Sequence, residues 1–303
     1  MAVVAATVSL SAFLTACGDD APDPSIGADS ASPNEVTVPV SAVAVDLLDP
    51  GAEPRSPVSY RLAAGIEQRT TLVTEAKVSQ QIDTQSAQDF SSPEITLLLD
   101  AQVAEVEDTG AAVVDLTIDE ATSPDARLGS ALEDSDGSGA GLTVQPDGSV
   151  TALRLRPTAE SQDIARSAIE QAMYQSVYRT VAFPEEPLGI GAQWTVRQQV
   201  VSGIALEQTT TATLVARDGD RLTVDYTVTQ APESPTWTLP NDAGTLQIEQ
   251  YTMEGSGQVV VDLARPLPVE GQVRVGGEQA YTDPNGATAL RQGTDNTVRW
   301  ESE

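Results

Sequence analysis

The sequence predicts a mainly β (α+β) protein, in which a curved antiparallel sheet or a sandwich of about a dozen strands holds one long central helix. The first observation is the alternation of apolar and polar residues in many segments; Val114, Leu116 and Ile118, for example, share one face of a strand. The second is the turn chemistry, such as Asp-Gly, between these segments. The third is that helical spacing extends over a long stretch only in residues 158–183.

The chain begins with an apolar, uncharged run, residues 2–16, which is too short to span a bilayer and typical of a signal peptide. It ends in Leu14-Thr15-Ala16-Cys17-Gly18, which resembles the bacterial lipobox. That resemblance implies removal of residues 1–16, a diacylated Cys17 and an extracytoplasmic protein anchored to the cell membrane without a transmembrane helix. No Lys or Arg precedes the run. We therefore expect translation to start upstream of Met1.

Residues 17–56 are predicted to be a lipidated N-terminus and a flexible tether. The stretch 18–34 is acidic and rich in Ala, Pro and Ser, a composition that cannot bury enough apolar surface to order itself. Such a tether has a root-mean-square reach of about 25 Å. Alternating valines predict an edge strand within 35–49, and the β-rich domain is predicted to cover 57–303.

Strand patterns lie on both sides of the predicted helix. They cover residues 58–62, 68–82, 94–106, 112–118, 142–144 and 150–155 before it, and 195–200, 206–216, 222–228, 247–253, 258–263, 271–275 and 288–300 after it. Residues 115–121 align with 225–231, and 148–157 align with 257–266, at nearly equal offsets. The chain is therefore predicted to contain two similar halves, with chance likeness between simple strand-turn-strand sequences as the alternative.

The predicted helix runs from Thr158 to about Phe183. Thr158 follows a proline and can cap the first turn, small and apolar residues recur on one face, and Pro184 cannot continue the helix. At about 1.5 Å per residue the helix would span about 40 Å, which is enough to cross a domain. Tyr174 and Tyr178 lie one turn apart and are candidates to line a pocket, although ordinary packing is the commoner role of such pairs.

Composition excludes several functions. A net charge of -29 is inconsistent with binding to nucleic acid or with electrostatic docking on anionic lipid. The absence of histidine removes Ser-His-Asp and Cys-His nucleophile systems and imidazole metal sites. Residues 134–139 resemble the start of a calcium loop, but Gln145 stands where its last acidic ligand is expected. We therefore predict a protein that is not an enzyme and has no metal or cofactor.

Three motifs carry a family resemblance. They are the lipobox, the Pro184-x-x-Pro187 turn running into Gly191-x-x-Trp194, and Gly255-x-Gly257 followed by Val259, Val261 and Asp262. Together they resemble a family of uncharacterised β-rich cell-envelope lipoproteins of actinobacteria, over about residues 57–300. These motifs are structural, so the resemblance implies no catalytic or binding residue. A more distant, architectural similarity is to the half-barrel carriers of lipids and lipoproteins, in which a curved sheet wraps around helices.

Two functions remain open at this stage. A sheet curled around a helix can leave an apolar cavity, which predicts binding of a lipid, such as an acyl chain or glycolipid, or of another apolar ligand at the outer membrane face. Tyr174, Tyr178 and Trp237, which lies in a predicted loop, are the candidate ligand-binding residues. The alternative is a structural or protein-interaction module of the cell envelope without a small-molecule ligand. The protein partner, the ligand's identity and the oligomeric state are left open.

Overall fold

The computed structural model describes residues 35–239, 244–284, 286 and 288–302. The predicted signal peptide, Cys17 and the acidic stretch 18–34 lie outside the described residues. Within them the chain is mainly β and antiparallel, which confirms that part of the fold prediction.

The described residues form sixteen strands, two α-helices and one 3-10 turn. The strands are Val36–Pro39 (β1), Ala44–Asp49 (β2), Glu67–Ile82 (β3), Gln88–Asp89 (β4), Ser92–Val106 (β5), Ala112–Thr122 (β6), Gly139–Val144 (β7), Val150–Arg156 (β8), Gln193–Ser202 (β9), Ile204–Asp218 (β10), Arg221–Pro232 (β11), Thr236–Thr238 (β12), Thr245–Tyr251 (β13), Met253–Asp262 (β14), Glu270–Thr282 (β15) and Ala289–Ser302 (β16). The helices are Ala126–Leu132 (α1) and Asp163–Val177 (α2), and the 3-10 turn is Glu133–Ser135.

Hydrogen bonding joins most strands into one path, β1-β8-β7-β6-β5-β3-β16-β15-β14-β11-β10-β9-β2. The strand directions place the C-terminal ends of β3, β9 and β15 at one end of the sheet, here called the upper end. The β7–β8 and β10–β11 turns lie at the opposite, lower end. β4, β12 and β13 extend the sheet at the upper end.

The first two strands bring the sheet's edges together. β1 pairs with β8 at one edge and β2 with β9 at the other, yet only residues 40–43 separate them. The stretch from Pro39 to Ala44 spans at most about 18 Å, even when fully extended. The sheet must therefore curl until its edges face each other across this segment. Within the predicted edge strand, residues 35–49, the structure thus has two strands, β1 and β2, which join opposite edges of the sheet.

One continuous apolar core fills the space inside the curled sheet. Alternate residues of the strands contribute to it, as the two-residue side-chain period requires, and we call the face that they form the inner face. The helices add buried residues from one side each: Leu128, Ala131 and Leu132 from α1, and Ala165, Ile169, Ala172, Met173 and Val177 from α2.

The prediction of one long helix over residues 158–183 is wrong. The structure has two short helices, and α2 covers only Asp163–Val177, 15 residues, with a length of about 22 Å. α1 was not predicted. Its signals were present, because Leu128, Ala131 and Leu132 have helical spacing and the Asp125 carboxylate caps the helix by accepting from the Leu128 N–H at 2.8 Å.

Tertiary hydrogen bonds explain why α2 starts late. The Thr158 hydroxyl donates to the Asp134 carbonyl at 2.9 Å instead of capping a first turn. The Ser161 hydroxyl lies 2.7 Å from that of Ser135, and both side chains are buried. Residues 158–162 are therefore held against the 3-10 turn and are not available to a helix.

The aligned segments do not occupy matching places in the sheet. Residues 115–121 lie in β6 and 225–231 in β11, each the third strand of a meander: β3-β5-β6-β7-β8 and β9-β10-β11-β14-β15. However, β7 separates β6 from β8, whereas β11 pairs directly with β14. A duplication of the two halves stays a prediction.

Candidate functional site

Tyr174 and Tyr178 lie together near the C-terminal end of α2. Their ring centroids are 4.7 Å apart, and the Tyr174 hydroxyl lies 3.4 Å from both the carbonyl oxygen and the N–H nitrogen of Val201, at the tip of the β9–β10 hairpin. Tyr178 is buried and Tyr174 is half-buried. Desolvation raises the pKa of Tyr174, with a further contribution from its hydrogen bond to Tyr178, and this adds to the ordinary neutrality of a phenol at physiological pH.

Trp237 lies at the upper end in the short strand β12, where a loop was predicted. Its ring centroid is 5.1 Å from that of Tyr281 on β15. A Cβ atom placed on Gly203 would lie 3.7 Å from Cζ2 of Trp237, so this indole also borders the β9–β10 hairpin. Trp237 and Tyr174 thus both border that hairpin, although they come from different elements.

A row of apolar side chains crosses four strands at the upper end. Ile248 pairs with Tyr281, Tyr281 with Leu290, and Leu290 with Ile82. Directly paired residues of antiparallel strands share a face, and Tyr281 follows the buried Val275 at an even spacing, so this apolar row lies on the inner face. Exposure rises along it, from the buried Tyr281 to Ile82, which is 43% exposed.

A second row, of glutamines, lies two residues below the apolar row. Gln279 pairs with Gln292, Gln292 with Gln80, and Gln80 with Gln88; we call these four the glutamine row. Tyr251 pairs with Gln279 at the other end of the row. An amide side chain both donates and accepts hydrogen bonds, so the row presents neutral groups of both kinds.

Gln279 is the most buried member of the glutamine row, with 3% of its surface exposed. Its Oε1 accepts from the Thr294 hydroxyl at 3.3 Å, but its Nε2 is buried and has no partner among the described residues. The indole Nε1 of Trp237 is likewise buried, and no described residue accepts a hydrogen bond from it. Each such donor costs about 1–3 kcal/mol. Two unpaired donors at one end of the sheet therefore indicate a place where acceptor oxygens would be stabilised.

Arg179 forms a separate polar cluster with glutamines of β10 and β11. Its Nη1 donates to Gln208 Oε1 at 2.6 Å and to the Tyr178 carbonyl at 3.2 Å, and Gln230 Nε2 donates to the same Gln208 oxygen at 2.9 Å. The Tyr226 hydroxyl donates to the Arg179 carbonyl at 2.9 Å. The carbonyl groups of Tyr178 and Arg179, which follow α2 and have no partner within the helix, thus accept side-chain hydrogen bonds. These bonds explain why the helix can end there.

Arg179 is 8% exposed, and none of the described carboxylates forms an ion pair with its guanidinium. Desolvation lowers its pKa. Its position beside the C-terminal end of α2 compensates part of this cost, because that end carries partial negative charge. We therefore assign Arg179 a structural role, anchoring α2 to β10 and β11.

The lower end contains an aromatic cluster in which the tryptophan N–H has a hydrogen-bond partner. Trp194 is fully buried and its Nε1 donates to the Ala182 carbonyl at 2.8 Å. Its ring centroid lies 5.6 Å from that of Phe183, which in turn lies 6.4 Å from that of Tyr60. Outside the sheet at this end, a groove of about 570 Å³ is lined by polar and charged side chains together with Val260 and Trp300.

The space beside the N-terminal half of α2 is almost filled. It has a volume of about 10 Å³ and is lined by residues that include Leu155, Pro157 and Ile169. A single water needs about 10–15 Å³ of such volume, so an acyl chain does not fit there. The apolar cavity expected beside the helix is therefore not present in this part of the structure.

The upper end presents side chains of the kinds that can contact a ligand. Its rows offer aromatic rings, apolar surface and neutral amide groups. Among the described residues, no three Cys, Asp or Glu side chains are grouped to hold a metal ion. Sequence analysis named Trp237 as a candidate ligand-binding residue, and the structure places it in this region. It did not name the glutamine row. The signal of that row in the sequence is an amide within an apolar inner-face series of every second residue, which in β15 runs Val273, Val275, Gly277, Gln279 and Tyr281.

Comparison of the chain with protein-family models, with curated proteins and with solved structures gives no match. The family resemblance described from the motifs therefore stays a prediction. Neither helix of the described chain has the length and apolar character needed to cross a membrane.

Proposed function

We propose that this protein is a cell-envelope lipoprotein that binds an amphipathic lipid at the outer face of the membrane, with its upper end as the binding site. The observation that carries the proposal is the pair of buried, unpartnered donors, Gln279 Nε2 and Trp237 Nε1, beside a partly exposed apolar row. A bound lipid would supply acceptor oxygens to the donors and cover the apolar row. Both changes stabilise the complex.

The side chains favour a neutral, oxygen-rich head group. The glutamine row holds amides, and the neighbouring Tyr251 and Tyr281 are neutral, as phenols are near pH 7, with desolvation raising the pKa of both further. The chain carries a net charge of -29, which disfavours an anionic ligand. The sugar of a glycolipid meets these conditions, because hydroxyl groups pair with amides and sugar rings stack on aromatic ones.

The ligand is tested by organic extraction of the full chain purified from its native membrane, followed by mass spectrometry. We expect a stoichiometric neutral lipid. Gln279→Leu should lose it, because the substitution removes the amide that faces the site. Gln272→Leu is the matched control: Gln272 lies on the same strand, is exposed on the opposite face, and lines the lower groove. Loss of the lipid in Gln272→Leu alone would move the site to that groove.

The membrane anchor is tested separately. Growth with a radiolabelled fatty acid should label the native protein, because a lipobox cysteine is diacylated, and should not label Cys17→Ala. Equal labelling of the two proteins, or none of either, would remove the lipoprotein part of the proposal.

A structural or protein-interaction module is the second candidate, and the filled space beside α2 favours it. In that case the upper end would bind a protein surface and purified material would contain no lipid. A pull-down from envelope extract that recovers one partner regardless of added lipid, together with an empty extraction, would replace the lipid-binding proposal with this one.

A further inference from the structure

Three polar side chains follow one another down the inner face of β16. Gln292, Thr294 and Asn296 occupy alternate positions of the strand, and each is partly exposed. We call these three residues the β16 strip; its length is about 14 Å. The next two inner-face residues, Val298 and Trp300, are buried, with 1% and 4% of their surface exposed. Solvent therefore reaches the inner face of β16 from the glutamine row down to Asn296 and stops there.

The β16 strip adjoins the buried amide of Gln279. The Thr294 hydroxyl donates to Gln279 Oε1 at 3.3 Å, and the Nε2 of this amide has no partner among the described residues. Because Gln279 is 3% exposed and held by Thr294, its free donor is fixed beside the strip. Hydroxyl and amide side chains both donate and accept hydrogen bonds. The strip and Gln279 together can therefore bind a group that does the same.

An aromatic ring flanks the β16 strip on its other side. The Phe90 N–H donates to the Val78 carbonyl at 2.8 Å, and Val78 pairs with Thr294. Gln88 pairs with the inner-face Gln80, so Phe90, two residues further along, also lies on the inner face. Only β3 separates Phe90 from β16, which places its backbone about 10 Å from that of Thr294. The ring is 44% exposed, so a sugar can stack on it while its hydroxyls reach the strip.

The order of the rows determines which part of an amphipathic ligand enters first. The apolar row lies at the edge of the sheet, the glutamine row lies below it, and the β16 strip extends further down. Below the strip Val273 pairs with Val298, and each is 1% exposed, so the core is closed there. An acyl chain that entered first would lie against amides and leave the polar head group on the apolar row. Both contacts are unfavourable.

We infer that the ligand enters with its head group first, so that a sugar or similar polyol binds between the β16 strip, Gln279 and Phe90, and its acyl chain stays at the apolar row. The inference rests on the lipid binding of the proposed function and adds the class of head group and its direction. Hydroxyl groups fit because they both donate and accept, as the strip does. Ester and phosphocholine groups offer acceptors only. The protein should therefore also bind a glycoside whose alkyl chain is short.

The direction is tested by saturation-transfer NMR on the full chain with n-octyl β-glucoside below its micelle concentration. Saturation of the protein spreads to the ligand protons that contact it. We expect the protons of the sugar ring to receive more saturation than the terminal methyl group. Stronger transfer to the methyl group would reverse the direction and leave lipid binding intact. No transfer to any ligand proton would overturn the inference, and the extraction experiment would then decide whether lipid binding fails with it.

The length of the alkyl chain gives a second measurement of the direction. A chain buried in the protein would tighten binding about fourfold with each added CH₂ group, whereas a chain left at the apolar row should add less than about twofold. Hexyl, heptyl and octyl β-glucosides are titrated into the full chain by calorimetry. A fourfold step for each CH₂ group would contradict entry of the head group first.

Phe90 offers a matched pair of variants, because its exposed ring contributes little to the core. Phe90→Tyr keeps the aromatic face and should bind octyl β-glucoside as the native protein does. Phe90→Leu keeps the apolar character but loses the face, and it should bind about threefold or more weakly. Equal affinities of the two variants would remove the stacking contact and overturn the assigned site.

The β16 strip is tested at its lowest member. Asn296→Leu should weaken binding of the glucoside about tenfold, because hydroxyls of the sugar lose their partner. Thr297→Val, at the adjacent position on the outer face, is the control and should leave the affinity unchanged. Circular dichroism establishes that both variants are folded. Native affinity in Asn296→Leu, or an equal loss in Thr297→Val, would place the head group outside the strip.

Discussion

The two ends of the molecule place tryptophan in opposite situations. At the lower end Trp194 is fully buried and its N–H donates to the Ala182 carbonyl. At the upper end Trp237 is half-buried, and its N–H has no partner within the part of the chain that the structure describes. A buried indole whose N–H has a hydrogen-bond acceptor stabilises the fold. A buried indole N–H without an acceptor costs stability, and such a cost is understandable where a bound ligand supplies the acceptor. The comparison separates the part of the protein that maintains the structure from the part proposed to bind.

The largest expected effect tests this difference on stability. Trp194→Ala should lower the free energy of unfolding by about 3–5 kcal/mol, because it leaves a cavity between Phe183 and the sheet. Trp237→Ala should cost only about 1–2 kcal/mol, since that ring is half-exposed. Urea unfolding followed by circular dichroism measures both. Equal losses would mean that the upper aromatic residues are as structural as the lower ones.

A smaller loss is expected in the polar cluster that holds the end of α2. Gln208→Leu should cost about 2–3 kcal/mol, because it removes the acceptor of Arg179 and leaves a buried charge less compensated. Gln198→Leu, on the partly exposed neighbour that pairs with Gln208 in β9, is the control and should change stability by less than about 0.5 kcal/mol. Similar unfolding curves for the two variants would remove the structural role of Arg179.

Little change in stability is expected from the glutamine row. Gln279→Leu removes one unpaired buried donor but also the acceptor of Thr294, so the two effects nearly cancel, within about 1 kcal/mol. The larger loss of unfolding free energy expected for Gln208→Leu distinguishes the Arg179 cluster, which stabilises the fold, from the glutamine row, which is proposed to bind. A loss above about 2 kcal/mol would show that Gln279 is structural, and it would weaken the binding-site interpretation.

The sequence predicts the strands much better than it predicts the site. Alternation places β6 and β11 correctly, because a period of two residues is local information. The limits of α2 depend instead on distant groups, the 3-10 turn at its start and Gln208 near its end. The glutamine row depends on register, because its members come from β3, β4, β15 and β16. No local pattern contains that pairing.

The smallest effect concerns pH, and it compares the ends through their tyrosines. Desolvation raises the pKa of Tyr281 at the upper end to about 12, and it raises that of the partly buried Tyr60 at the lower end further. The folded-state pKa of each phenol lies above the unfolded value of about 10. The contribution of the phenols to stability is therefore fully present below about pH 10, and it is lost as the pH rises through the folded-state pKa. The free energy of unfolding should therefore not respond to these phenols near neutrality.

A tyrosinate absorbance titration compares the two ends. In it, Tyr281→Phe should remove an ionisation step at lower pH than the step that Tyr60→Phe removes. The opposite order would mean that solvent reaches the lower cluster before the upper one, which is incompatible with a sealed lower end.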